Sequence, residues 1–89
     1  MTTYLISYDL STPGRNYDDL IEHIKAYGTW SHPLQSVWLV STTLSAEQVR
    51  DAAAKFLDSN DKILVVVASR DGAWRGIAEK VSDWLKTHL

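Results

Sequence analysis

Tyr4-Leu5-Ile6-Ser7-Tyr8-Asp9-Leu10 alternates with the two-residue period of a β-strand. Tyr4, Ile6, Tyr8 and Leu10 fall on one face, and Leu5, Ser7 and Asp9 on the other. The strand, about Thr3 to Leu10, thus delivers one carboxylate to its end on the less apolar face. Pro13-Gly14 then breaks the chain into a polar loop, Ser11-Thr12-Pro13-Gly14-Arg15-Asn16. An acid at a strand end, with hydroxyls and a guanidinium nearby, suits a divalent cation or a phosphate ester. It equally suits an Asx-type turn, with Asp9 accepting from the amides of Ser11 or Thr12.

Working outward, Tyr17, Leu20, Ile21, Ile24 and Tyr27 form one apolar stripe, which predicts a helix over about Tyr17 to Tyr27. Asn16 is the expected N-cap, Asp18 and Asp19 suit the positive helix start, and Gly28 suits a left-handed end. A short strand fits before Leu34, and Pro33 restricts it to a sheet edge. Gln35 to Thr43 reads as a strand, with Val37 and Leu39 opposing Trp38 and Val40. Ser45-Ala46-Glu47-Gln48 is a capping box opening a second helix, whose buried face is Val49, Ala52, Ala53, Phe56 and Leu57. Asp58-Ser59-Asn60-Asp61 is turn chemistry. A terminal helix over about 76–88 has Ile77, Val81, Trp84 and Leu85 as its stripe.

The run Ile63-Leu64-Val65-Val66-Val67-Ala68 is apolar on both sides of the pleat, the pattern of a strand covered on both faces. Two helices can cover only one face of a sheet this small. The other face needs the tail or a second subunit. The order strand, helix, strand, strand, helix, strand, then helix predicts an α+β, ferredoxin-like βαββαβ sandwich with an additional C-terminal helix. One domain spans residues 1–89, with its core at about 3–68.

Composition narrows the function. A chain of 89 residues buries only roughly 60–65% of its unfolded surface, so self-association is the cheapest further support. Without cysteine there is neither a disulfide framework nor a thiolate metal site. No apolar stretch approaches the ~20 residues of a membrane span and no signal-like segment opens the chain, so the expectation is a cytoplasmic protein with no membrane partner. The net charge is −2, from 9 Lys+Arg against 11 Asp+Glu. Phosphate neutralisation supplies most nucleic-acid affinity, so any nucleic-acid contact here must be local, transient or metal-bridged.

In its opening Tyr4–Leu10 strand, the helix closed by Tyr27-Gly28, the Gln35-Ser36-Val37-Trp38-Leu39 strand, Leu44-Ser45, and the Asp61–Val67 strand, the chain resembles the CRISPR-associated Cas-two family and its stand-alone relatives. The resemblance spans roughly residues 3–68. It implies a homodimer of ferredoxin-like subunits packed through their sheets. It also implies that Asp9 of each subunit faces a shared cleft and holds Mg²⁺ or Mn²⁺ for a metal-dependent endonuclease acting on RNA or DNA. Ser11 and Arg15 are the expected assistants of Asp9. One Asp per subunit across a two-fold axis suffices for a cation that keeps its waters. Two other readings stand beside this one. The first is a non-catalytic dimeric binding or scaffold module for a protein partner or a small anionic ligand, and the second a toxin-like ribonuclease of the same fold.

Elsewhere the signals are thinner. Trp74, flanked by Arg70 and Arg75, makes a weak basic–aromatic patch for nucleic acid, and anchoring the tail explains it too. Trp30 lies in an expected loop, where aromatics can stack on bases. Trp38 and Trp84 read as core or interface. His23, His32 and His88 have no metal-ligand spacing, and His23 falls on the polar side of the first helix.

Overall fold

A computed structural model describes residues 1–11 and 17–89. The expected N-cap Asn16 lies outside the described residues, as do Thr12 and Arg15. The elements run β1 (Thr2–Asp9), α1 (Asp18–Lys25), β2 (Trp30–Leu34), β3 (Val37–Thr42), α2 (Ala46–Ala54), β4 (Lys62–Val67) and α3 (Glu79–His88). Four strands form one antiparallel sheet in the order β2-β3-β1-β4. Among the described residues the protein is therefore an α+β fold with three helices.

β1 runs centrally because its alternation lets one side face a core while its backbone pairs with β3 and β4. Tyr4, Ile6, Trp38 and Val40 supply the sheet's half of that core, and Leu20, Ile24, Val49 and Ala53 supply the half from α1 and α2. Each fully buried side chain of this kind contributes roughly 1.5–3 kcal/mol. Two of these core side chains carry polar tips, and both are satisfied. Trp38 Nε1 donates to the Tyr8 hydroxyl at 3.0 Å, and the Tyr4 hydroxyl donates to Leu44 O at 2.8 Å.

The capping box forms as its spacing predicts. Gln48 N donates to Ser45 Oγ at 3.1 Å and Ser45 N donates to Gln48 Oε1 at 2.9 Å. α1 ends at Lys25, two residues before the expected Tyr27. The chain then turns through Gly28, whose φ of +83° a side-chain-bearing residue rarely adopts. β3 begins at Val37, because Gln35 and Ser36 form the turn out of β2. The register of β2 shifts between Ser31 and Leu34, around Pro33, and β2 is an edge strand as that proline requires. α3 starts at Glu79, after Gly76 turns the chain with φ +76°.

The opposite face of the sheet is covered over only part of its length. Leu85 of α3 and Leu39 of β3 are buried there, and Thr3 and Ser41 share a 2.8 Å hydroxyl contact. Thr3 Oγ1 also donates to His88 O at 3.0 Å, tying the end of α3 to the start of β1. Toward β4 the cover stops: Leu64 is 57% exposed and Val66 41%. The doubly apolar β4 run is an edge strand whose second face lies open. Among the described residues, no helix is long and apolar enough to cross a membrane.

Candidate functional site

Asp9 is the last residue of β1 and lies exposed, opposite Lys62 of β4 in the ladder. By strand alternation it shares its face with Ser7 and Leu5, and Ser7 in turn lies opposite Leu64 and Val37. The carboxylate thus stands on the open face of the sheet, at the end of β1 away from the Thr3–His88 contact.

The hydrogen bonds at this end converge on a different acid. The Asp61 carboxylate accepts from Ser11 N at 2.9 Å, Ser11 Oγ at 3.0 Å, Asp58 N at 2.8 Å and the Tyr17 hydroxyl at 3.2 Å. The two backbone amides dominate, and together with the hydroxyls they hold the carboxyl at a pKa of about 2. Asp61 thus clamps Ser11 to Tyr17, the described residues on either side of 12–16. Three segments meet there: the exit of β1, the entry to α1 and the turn before β4. The amide of Ser11 is directed to Asp61, so the expected Ser11 amide-to-Asp9 turn is not the arrangement adopted.

Of the expected site residues, Asp9 and Ser11 lie two apart at the same end of the sheet, and Arg15 lies outside the described residues. Among the described residues no three His, Cys, Asp or Glu side chains gather as a metal-binding group. A single carboxylate, with Ser7 on the same face, can supply one ligand to a hard cation that keeps most of its waters. Arg70 and Arg75 are exposed. Trp74 is half-buried, and its Nε1 donates to Ser82 Oγ at 2.9 Å, fastening the connection before α3. It lines a cavity of about 410 Å³ between tail and sheet, with Leu5, Leu39, Leu85 and Leu89.

His23 does not sit on the polar side of α1. Its ring packs 5.0 Å from Phe56 and 5.6 Å from Tyr27, between α1 and the end of α2. Burial first, and then the charge of Lys55, lower its pKa. The expectation failed because His23 flanks the apolar stripe: at about 100° per residue it stands roughly 40° from Tyr27, close enough to be drawn in.

A second polar–aromatic feature lies at the β2 edge. Trp30 opens β2 itself, and its ring lies 5.4 Å from Trp38. His32 stacks on Trp38 at 3.7 Å, and Trp84 stacks on His88 at 4.0 Å. Trp30 thus lies in a strand and not in the expected loop, and the link from β2 to α3 has no local signature because it depends on how the tail folds back. No family model matches the chain, and no solved structure matches it.

Proposed function

We propose that the chain is a ferredoxin-like subunit of Cas-two type, with α3 as its C-terminal addition, that works as a homodimer packed through the open face of its sheet. The antiparallel order β2-β3-β1-β4 with two helices on one side supports the ferredoxin-like reading. In this reading Asp9 of each subunit faces a shared cleft, where the two carboxylates hold one Mg²⁺ or Mn²⁺ for hydrolysis of a phosphodiester in RNA or DNA. The observation that carries it is the position of Asp9. It is the carboxylate at the end of the central strand, on the face where Leu64 and Val66 lie bare.

When bound, the cation supplies Lewis acidity toward a phosphate oxygen and makes a bound water more acidic. The rest is work for this chain's own residues. Asp9 orients the hydrated cation. Lys62, its cross-strand neighbour, places an ammonium beside the same strand end and suits a phosphate oxygen of the substrate. Asp61 holds Ser11 and Tyr17 together at this end of the sheet.

The net charge of −2 and the engagement of Ser11 by Asp61 favour the second reading, a non-catalytic dimeric module binding a protein or a small anion in the same cleft. A cleavage assay separates the two. Labelled single- and double-stranded RNA and DNA are incubated with Mg²⁺, Mn²⁺ or EDTA, comparing wild type with Asp9→Asn. The nuclease reading expects metal-dependent cleavage that Asp9→Asn abolishes while the fold persists. Cleavage retained in that variant removes Asp9 from the mechanism, and no cleavage under any cation leaves the binding module.

A further inference from the structure

Between β2 and α3 lies a cavity of about 370 Å³ lined by Trp30, Ser31, His32, Lys80, Val81 and Trp84. We infer that this cavity is a nucleotide subsite, which takes a flat heteroaromatic base against its aromatic walls and the attached phosphate at its lysine rim. The inference does not rest on Asp9 or on catalysis.

Ser31 supplies the first argument. It is only 4% exposed, it lines the cavity, and its Oγ has no hydrogen-bond partner among the described residues. A buried polar atom left unpartnered costs stability, and few native groups are left so. A hydroxyl both donates and accepts, so a turn of the Ser31 side chain toward the cavity lets it meet either a ring nitrogen or an exocyclic group on the edge of a base.

The walls supply the second. His32 is braced on one side by Trp38 and Trp84 on one side by His88, at stacking distance in each case. Each ring is thereby held in place at the cavity wall. Pre-positioned aromatic rings suit base stacking, which tolerates any base because every base has a π-face. A volume of this size lies within the usual range for small-molecule sites.

Charge supplies the third. Lys80 lines the cavity, and Lys25 Nζ lies 5.5 Å from the centre of the Trp30 ring. Two ammonium groups beside an aromatic wall match a base joined to a phosphate. In a chain of net charge −2, binding must draw on stacking more than on phosphate neutralisation. That accounts for how an acidic protein can hold nucleic acid without a basic face. Two sources carry this chemistry, a free mononucleotide and an unstacked base of a single strand.

The test is an NMR titration of the indole N–H signals with AMP, UMP, adenosine and eight-residue oligo-A and oligo-U. The chain has four tryptophans, and Trp74, bonded to Ser82, serves as the internal reference. Trp30 and Trp84 are expected to shift while Trp74 stays. Tighter binding of the oligonucleotides than of AMP identifies a single strand as the source, and equal binding identifies the free nucleotide. With two lysines, log K should fall with log salt with a slope no steeper than about −1.4. Trp84→Leu should weaken binding at least about fivefold. Because that variant disturbs α3, Ser31→Ala is the second probe. It should leave thermal stability undiminished yet weaken binding several-fold. Lys80→Gln should reduce the preference for AMP over adenosine. Trp30 and Trp84 signals unmoved by millimolar nucleotide and by the oligonucleotides would overturn the inference, as would Ser31→Ala binding as tightly as wild type.

Discussion

The two faces of the sheet are finished to different degrees. On the helix side, Ile6, Val40 and Trp38 are at most 1% exposed and meet Leu20, Ile24 and Val49, which are equally buried. On the other side Leu39 and Leu85 are buried where α3 lies, while Leu64 and Val66 on the β4 edge and Asp9 at the end of β1 stay uncovered. The first face holds the folding core, and its bare point is Val67 at the end of β4, 60% exposed. The second is half core and half surface, and the candidate carboxylate stands on the surface half. Short chains cannot bury both sides of a sheet alone, and the uncovered part is where a partner brings the most gain.

The largest effect expected from this contrast is on the closed face. Trp38→Ala removes a fully buried indole and its bond to the Tyr8 hydroxyl and should cost about 3–5 kcal/mol, read by urea denaturation. Leu85→Ala, under α3, should cost about 2–5 kcal/mol. A negligible cost would mean that α3 adds little cover and that the face is more open than its packing implies.

On the open half the expectation concerns association rather than folding. Leu64→Lys with Val66→Lys should turn a dimer into a well-folded monomer, seen in sedimentation velocity, with circular dichroism unchanged. A double variant that sediments like wild type would break the contrast, since the exposed half would then be ordinary surface.

Smaller effects concern the clamp and the helix pair. The Asp61 carboxyl titrates at about 2 when folded, below its ordinary 3.8, so its contribution is complete above about pH 4 and is lost as pH falls toward 2. The melting temperatures of wild type and Asp61→Asn should therefore converge across that window. The folded pKa of His23 is also lowered, so the unfolded chain binds the extra proton first. Stability should decline as pH drops below 6.5. His23→Leu should flatten that decline in melts between pH 7.5 and 5.

Much of the fold was legible because local pattern and tertiary role coincide. The alternation of β1 placed Tyr4 and Ile6 inward and Asp9 outward, and the Ser45–Gln48 box formed where its spacing predicts. The run Ile63–Val67 was legible as apolar on both sides but not as an edge strand with one face bare, because coverage depends on where the tail comes to rest. The site was legible only at its single strand-end acid. Asp61 looked like turn chemistry, and its hold on Ser11 joins residues 50 apart with no local signature. Likewise, Ser31 and Trp84 meet one cavity only after α3 folds back onto β2.

The most direct test of the central claim, that the open face joins two Asp9 carboxylates around one cation, is the stoichiometry of Mn²⁺ binding by a protein first shown to be dimeric. The account predicts one Mn²⁺ for every two chains, lost in Asp9→Asn with the dimer intact. One Mn²⁺ per chain, or binding unchanged in Asp9→Asn, would contradict it, as would a dimer that binds none.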